Sequence, residues 1–325
     1  MDFRFTDDQQ ELIDAAKQFF DGEHTTERMR AQLDGKDVPP LWNQCAELGL
    51  LGILADEQQG GLGQDFTVMT AIAEAAGYAG FAEPLVETAG LVVPLLQDMG
   101  ETEKLEQVIA GSLRIAPLSP RLFAVQDADQ CDYFIATHAE GASLIGKDEV
   151  DITPLQSIDP LRKVFKVSHA AEGCPLSDRN GAILSAAQIC GLTRRIIDIS
   201  VEYAKDREQF GQPIGAFQAI KHHLANVHTQ LEFTRPTVFL AALQGGRAVH
   251  QAKIAAAETG ILAAETGIQV HGGMGYTYEV NLHLFMKRIW AVSAEWGDKN
   301  DHLNILTPLV LGDDAPIGPG ASFEA

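Results

Sequence analysis

Residues 203–218 read Tyr-Ala-Lys-Asp-Arg-Glu-Gln-Phe-Gly-Gln-Pro-Ile-Gly-Ala-Phe-Gln. We predict that a helix runs into this stretch and ends at Gly211, because glycine often terminates helices and Lys205 would lie favourably in the last turn. A helix end explains Lys205 and Gly211. It does not explain the ordered run Arg-Glu-Gln-Phe-Gly-x-Pro-Ile-x-x-Phe-Gln, which therefore needs a further explanation.

Two other segments accompany this stretch. Residues 269–276 read Gln-Val-His-Gly-Gly-Met-Gly-Tyr, and residues 48–63 combine Leu-Gly-Leu-Leu-Gly-Ile with a later Gly-Gly-Leu-Gly. Glycine-rich turns are common, so each of these segments is weak evidence alone. In this order, however, the three segments resemble the signatures of the acyl-CoA dehydrogenase family. The resemblance covers residues 1 to about 100 and 180 to 305, whereas the region between them matches poorly.

The spacing of apolar residues divides the chain into helical, β and helical regions. Thr6 and Gln9 form a predicted capping box at the first helix. Short strands are predicted at residues 133–137, 142–145 and 164–167. We therefore predict a mainly α (α+β) fold, in which the resemblance implies a C-terminal four-helix bundle. The predicted parts are an N-terminal helical domain, a shortened central β domain, the bundle and a loose tail, at residues 1–112, 113–175, 176–310 and 311–325.

The resemblance implies an enzyme that uses FAD to introduce an α,β double bond into an acyl-CoA thioester. In such enzymes a glutamate removes the α-proton while flavin N5 accepts the β-hydride, and the protein positions the base and the flavin. An electron-transferring flavoprotein or a similar acceptor is the implied redox partner. The FAD of the family lies across a subunit interface, with its ring and its adenosine held by different subunits.

Several residues are expected to hold the adenosine and pyrophosphate part of FAD if the family's contacts carry over. Arg207 is expected to pair with the pyrophosphate, because a planar guanidinium suits phosphate. Gly273 is expected to allow close approach of the backbone. The complete set of predicted cofactor contacts is Arg207, Gln209, Phe210, Ile214, Phe217, Gln218, Gln269, Gly272 and Gly273.

The position of the family's catalytic base holds no carboxylate in this chain. Counted from Gln269, the expected position is Trp296, and Gly297 matches the glycine that follows the base in the family. Glu295 is adjacent and could serve only if the register shifted by one residue. Some members place the base on the first helix of the bundle, at the position that corresponds here to Gly181. We therefore assign no catalytic base to this chain, and Glu295 is the one remaining candidate.

The middle region also lacks recognisable equivalents of the family's flavin-binding segments. Between residues 113 and 131 there is no Thr-Glu-Pro-x-Ala-Gly-Ser-Asp segment, and no Trp-Ile-Thr-like strand follows it. These losses resemble the small subunit of α2β2 acyl-CoA dehydrogenases from bacterial steroid side-chain catabolism. The resemblance then implies a second acyl-CoA dehydrogenase subunit that carries the flavin-ring pocket and the catalytic glutamate.

Two alternatives remain open from the sequence. The chain could form a homomeric dehydrogenase that uses Glu295 as base, or a scaffold of the same fold that binds no flavin. Retained Arg207, Gln218 and Gln269 speak against the scaffold, and the missing base speaks against the homomer. The sequence does not determine which acyl group is oxidised.

Composition narrows the possible partners and location. The net charge of −21 disfavours nucleic acid as a partner, because the chain and the phosphate backbone repel each other. Any nucleotide or CoA site must therefore concentrate its basic groups locally. No metal-ligand pattern is found. Neither a signal peptide nor a membrane-spanning segment is recognised, so a cytoplasmic location is expected.

Overall fold

The computed structural model describes residues 4–138, 141–168 and 178–312. Within these residues, helices precede and follow a region of β-strands. The first helix begins at the predicted capping box, where Gln9 N–H donates to Thr6 Oγ1 at 3.2 Å and Thr6 N–H donates to Gln9 Oε1 at 3.1 Å. The N-terminal helices are α1 (Asp7–Glu23), α2 (Thr26–Leu33), α3 (Trp42–Glu47), α4 (Phe66–Ala79), α5 (Leu85–Glu87), α6 (Val93–Met99) and α7 (Thr102–Ile109).

A π-helical turn interrupts the helical stretch at residues 85–99. It spans Thr88–Val92 and separates α5 from α6. Such turns insert one extra residue and occur often at functional sites. Here the turn follows Glu87 directly, a carboxylate that lies close to the site described below.

Two three-stranded sheets form the middle region. In the first, β1 (Ile115–Leu118) pairs in parallel with β3 (Tyr133–His138), which pairs antiparallel with β4 (Gly141–Gly146). In the second, β6 (Val164–Ser168) lies between the antiparallel strands β2 (Val125–Gln126) and β5 (Asp151–Leu155). The three predicted strands are thus confirmed as β3, β4 and β6, and three more were not predicted.

Five helices follow the sheets. They are α8 (Asp178–Asp206), α9 (Gln218–Gln244), α10 (Arg247–His271), α11 (Leu282–Ala294) and α12 (Lys299–Leu311). The prediction that the first of them ends at Gly211 is wrong, because α8 stops at Asp206 and a short hairpin follows. Helix α12 was not predicted. The predicted boundary near residue 175 and most of the predicted tail lie outside the described residues.

The N-terminal and C-terminal helices share one core. Helix α4 crosses α8 closely enough that a Cβ on Gly77 would lie 2.2 Å from Gln188 O, and one on Gly191 would lie 1.9 Å from Glu74 O. Only glycine permits this approach of two backbones. The largest fully buried side chains of the protein include Phe20, Met69, Phe134, Phe285 and Trp296. The prediction of a mainly α fold with small sheets is therefore confirmed.

Within the described ranges, no helix has both the length and the apolar character that a bilayer crossing requires.

Candidate functional site

The first motif folds as a hairpin that projects from the end of α8. Strands β7 (Glu208–Gln209) and β8 (Gln212–Pro213) pair antiparallel across a two-residue turn. The turn residues Phe210 and Gly211 have φ values of +55° and +79°, as a tight hairpin turn of this type requires. The Phe210 side chain is 93 % exposed, so the hairpin holds a large aromatic ring in solvent. An apolar ring in this position is suited to contact another molecule.

Hydrogen bonds attach the hairpin to the last turn of α8. Arg207 N–H donates to Tyr203 O at 2.9 Å, and Ile214 N–H donates to Arg207 O at 2.8 Å. The backbone on both sides of the hairpin is therefore fixed, while the Arg207 side chain is exposed. Phe217 precedes α9 and packs edge-on against Phe210, with ring centroids 6.1 Å apart.

The remaining first-motif residues lie along the same surface. Gln209 and Gln218 are exposed, and Ile214 and Phe217 are half-buried. The six predicted contacts of this motif thus form one continuous segment, which we call the first arm (residues 207–218).

The second motif forms the turn that ends α10. Gly272 adopts a φ of +57°, and its N–H donates to Gln269 O and Ile268 O. Gln269, Gly272 and Gly273 are exposed. A Cβ on Gly273 would meet no atom within 4 Å, so this backbone borders open space. We call residues 269–273 the second arm.

The two arms are neighbours in the fold. The Tyr203 ring, in the last turn of α8, stacks on His271 at the end of α10, with centroids 4.2 Å apart and an interplanar angle of 26°. All nine predicted cofactor contacts therefore lie on two adjacent arms at one end of the bundle.

At the expected base position, Trp296 is 1 % exposed and packs against α8. A Cβ on Gly181 would lie 2.1 Å from Trp296 Cδ2, so the indole lies directly over this glycine. The two alternative base positions of the family are therefore in contact here, and neither bears a carboxylate. Trp296 has a φ of +59°, which is unusual for a residue with a side chain.

Glu295 points elsewhere and forms a buried ion pair. Arg162 Nη1 donates to Glu295 Oε1 at 2.6 Å, and both side chains are at most 7 % exposed. Arg162 Nε donates to Gln126 Oε1 at 2.5 Å. Burial alone would lower the pKa of Arg162, but Glu295, Glu87 and Asp159 raise it, so the guanidinium stays charged.

Comparison with known proteins agrees with this geometry. The family model for the acyl-CoA dehydrogenase N-terminal domain matches residues 6–114, and the family model for the C-terminal domain matches residues 179–308. Acyl-CoA dehydrogenase IpdE2 of Mycolicibacterium smegmatis is 30 % identical over 276 residues, which cover 82 % of this chain and 87 % of the relative. The chain belongs to the acyl-CoA dehydrogenase family. FAD is the cofactor that goes with this assignment.

Solved structures of the family share the fold over almost the whole chain. The ChsE4-ChsE5 complex from Mycobacterium tuberculosis superposes with a TM-score of 0.81 at 23 % identity, covering 98 % of this chain and 100 % of that one. The steroid ACAD Tcur3481-Tcur3483 superposes with a TM-score of 0.83 at 22 % identity, covering 95 % of this chain and 99 % of that one.

The residues present fit the nucleotide part of FAD. A dinucleotide needs a cation for its pyrophosphate, hydrogen-bonding groups for the adenosine and backbone without obstructing side chains. Arg207, Gln218, Gln269 and Gly273 offer these groups on an exposed surface. Because the chain has a net charge of −21, a binding site for an anion needs a basic group close by. Arg207 provides such a group.

Sequence reasoning missed the charged residues around the base position. Glu87 lies near Arg162; burial raises its pKa, and Arg162 and Arg288 oppose that rise. Both side chains line a cavity of about 20 Å³, which has room for one or two water molecules. Arg162 lies in the region that matches the family poorly, so no motif could have identified it.

Asp178, the carboxylate nearest in sequence to the alternative base position, is also engaged. It is buried, pairs with Arg121 at 3.2 Å and accepts a hydrogen bond from Ser119. Burial raises its pKa, and the hydrogen bond from Ser119 and the positive charge of Arg121 oppose this rise. Across the described part of the chain, no cluster of three or more His, Cys, Asp or Glu side chains could hold a metal ion.

Proposed function

We propose that this chain is the non-catalytic subunit of a heteromeric, FAD-dependent acyl-CoA dehydrogenase. Its two arms hold the adenosine and pyrophosphate of an FAD whose ring is bound by a partner subunit. The observation that carries the proposal is a contrast within one chain. Seven of the nine predicted nucleotide contacts are exposed and the other two are half-buried, whereas the position expected for the catalytic base is filled by a buried indole.

Support for the nucleotide role comes from the exposure of the first arm. Phe210 has little to pack against within the chain, and an exposed ring of this size costs solubility unless it contacts another molecule. Arg207 lies at the base of the same hairpin, where it can form a charge-assisted bond to phosphate. The arm therefore suits an FAD that is shared with a neighbouring subunit.

Support for the non-catalytic role comes from the base position. An indole cannot accept the α-proton, and Glu295 is held by Arg162. The cavity of about 20 Å³ that Arg162 and Glu87 line is far smaller than the several hundred Å³ of typical ligand pockets. A partner subunit must then supply the glutamate. The Arg162 pair also speaks against the homomeric alternative in which Glu295 is the base.

In the assembled enzyme, this chain would contribute binding and orientation. When bound, FAD supplies the acceptor for the β-hydride of the acyl-CoA. Arg207 would neutralise the pyrophosphate, and Gln218 and Gln269 would orient the adenosine by hydrogen bonds. Fixing the adenosine end limits motion of the ring at the other end, which is a positional contribution to the rate.

Substrate and partners are proposed from the relatives. Among the similar structures are a steroid ACAD and a two-protein complex, so a steroid-derived acyl-CoA and a second dehydrogenase subunit are the proposed substrate and partner. An electron-transferring flavoprotein or a similar acceptor would reoxidise the flavin. We further propose a cytoplasmic enzyme with the domain division 1–112, 113–175, 176–310 and 311–325.

The test is Arg207→Ala, introduced into the assembly that is purified from the source cells through a tag on this chain. The matched control is Arg194→Ala, a half-buried arginine of α8 that pairs with Glu232 at 3.0 Å. Loss of a charge-assisted phosphate contact should weaken FAD binding by about 1.5–3 kcal/mol. Equal FAD retention in both variants after gel filtration would refute the proposed role of the first arm.

A further inference from the structure

Tyr203 and His271, one from each of the two motif segments, form a close aromatic pair, although neither is among the predicted cofactor contacts. Their rings stack at 4.2 Å, and the Tyr203 hydroxyl donates to His271 O at 3.4 Å. Tyr203 is half-buried and His271 is 4 % exposed. The pair lies at the ends of α8 and α10, whereas the expected base position follows α11, so we assign the pair no role in proton transfer.

Each partner of the pair is attached to one arm. The Tyr203 carbonyl accepts the Arg207 N–H at 2.9 Å, at the beginning of the first arm. In the same turn, a Cβ on Gly215 would lie 2.9 Å from Ala204 O, so the far side of the first arm also rests on α8. His271 lies within the second arm, directly before Gly272.

The orientation of His271 is fixed from its own helix. Its Nδ1 lies 2.8 Å from Gly267 O, and a carbonyl oxygen only accepts, so Nδ1 carries the hydrogen of this bond. Because the imidazole is held in this way, its stack on Tyr203 connects the end of α10 to the end of α8. The pair is thus a side-chain contact that joins the helix end that carries the first arm to the second arm.

We propose that Tyr203 and His271 are a positioning pair that sets the spacing between the two arms for one dinucleotide. The inference rests on the proposed function, since it needs FAD to contact both arms. A rigid support behind contact residues reduces the ordering cost of binding. Loss of the stack should therefore weaken FAD binding although neither residue belongs to the predicted contacts.

The test compares FAD affinity with thermal stability in the tagged assembly. Tyr203→Leu removes the stack, and Tyr203→Phe keeps the ring but removes the hydroxyl. Tyr78→Leu is the control: Tyr78 is also a half-buried tyrosine beside α8, where its hydroxyl donates to Asp198 at 3.0 Å, but it lies in α4, away from the arms. After removal of the flavin, FAD is titrated back and its dissociation constant and the Tm are measured.

We expect Tyr203→Leu to raise the FAD dissociation constant about tenfold, the size of a lost aromatic pair. Tyr203→Phe should restore affinity, and Tyr78→Leu should lower the Tm without changing affinity. An unchanged affinity in Tyr203→Leu would overturn the inference. If that variant does not assemble, the same comparison is made with His271→Ala. Arg207→Ala separates the two claims, because full FAD retention there rejects the proposed function itself.

Discussion

At the scale of single residues, the proposed non-catalytic role depends most on Trp296, which occupies the expected position of the catalytic base. Trp296 combines complete burial, a positive φ and contact with a glycine on another helix. A residue is held in such a backbone conformation only when its surroundings enforce it. Here the indole and Gly181 have complementary sizes, so each restricts what the other position can hold.

This complementarity predicts strong coupling between the two positions. Gly181→Ala alone should destabilise the protein by about 1–3 kcal/mol, because the added methyl overlaps the indole. In a Trp296→Gly background the same change should be neutral or stabilising, as Gly-to-Ala changes in helices usually are. Urea unfolding of the four proteins of this cycle measures the coupling. Additive effects would show that the two positions do not touch.

Glu295 gives a second prediction at this scale. In the assembled enzyme, Glu295→Gln should change the rate of flavin reduction by no more than a few-fold, whereas loss of a general base typically costs about 10²–10⁴-fold. The same variant should lower stability by up to about 3–5 kcal/mol, because Arg162 loses its buried counter-charge. The control is Glu232→Gln, at an exposed ion pair. The rate of flavin reduction is measured after rapid mixing of the enzyme with acyl-CoA. A large loss of this rate, with flavin still bound, would show that this subunit is catalytic.

The sequence predicted part of this residue-scale arrangement. Counting from Gln269 placed Trp296 at the base position because Gly297 stayed in register, and the structure brings Trp296 against Gly181, the alternative position. Arg162 could not be predicted as the partner of Glu295. The two residues are 133 positions apart, and the pair exists only because the sheet region folds back against the end of α11.

At the scale of elements, Lys253 connects three helices by hydrogen bonds. This α10 lysine is fully buried and donates to Ser185 Oγ of α8 at 2.8 Å and to Val292 O of α11 at 3.0 Å. Burial lowers the pKa of Lys253 to about 7, while Glu295 and Asp298 act in the opposite direction. Its two acceptors fit a neutral amine, which has two N–H groups.

The lowered pKa predicts a rise of stability with pH. Between about pH 7 and the unfolded-state pKa of about 10.4, the unfolded chain binds a proton on Lys253 that the folded chain does not. The unfolding free energy should therefore increase across this window, by an amount on the order of 3–5 kcal/mol. Below about pH 7 both states are protonated and this dependence ends. Urea unfolding at several pH values measures it.

Lys253→Met is the control for this measurement. Val292 O still accepts Glu295 N–H at 3.2 Å, and Ser185 Oγ still donates to Ala182 O at 3.0 Å, so both groups keep a partner. Burial raises the pKa of the Cys45 thiol, and this lowers the unfolding free energy as the pH rises. The contribution of Cys45 is the same in both proteins and cancels in their difference. The difference between the two pH profiles is the contribution of Lys253. Parallel profiles would contradict the assigned pKa.

Local sequence signals predicted helices and strands correctly where the signal does not depend on contacts with the rest of the fold. The capping box of α1 is an example, because Thr6 and Gln9 satisfy each other without help from the rest of the fold. The end of α8 was misplaced because Gly211 serves a hairpin turn rather than a helix cap. Strand β5 was missed because Pro154 argues against a strand, and it is tolerated here since β5 is an edge strand of its sheet.

At the scale of the whole molecule, the proposed cofactor site has one half on exposed arms and one half that is closed. The exposed arms lie at one end of the bundle, and the filled base position lies inside the shared core of α8 and α11. Motifs in the sequence named the residues of the exposed arms one by one, and their contacts with FAD remain a prediction. The closed half could be predicted only as a set of missing residues, because closure depends on side-chain packing between distant helices.

The most direct test of the shared site is the FAD content of two preparations. The full chain purified alone and the assembly purified through a tag on this chain are compared by flavin absorbance against protein concentration. We predict that the chain alone is colourless or carries FAD far below one equivalent and does not oxidise acyl-CoA, whereas the assembly carries FAD and turns over. A chain that is fully occupied by FAD and active on its own would contradict the account.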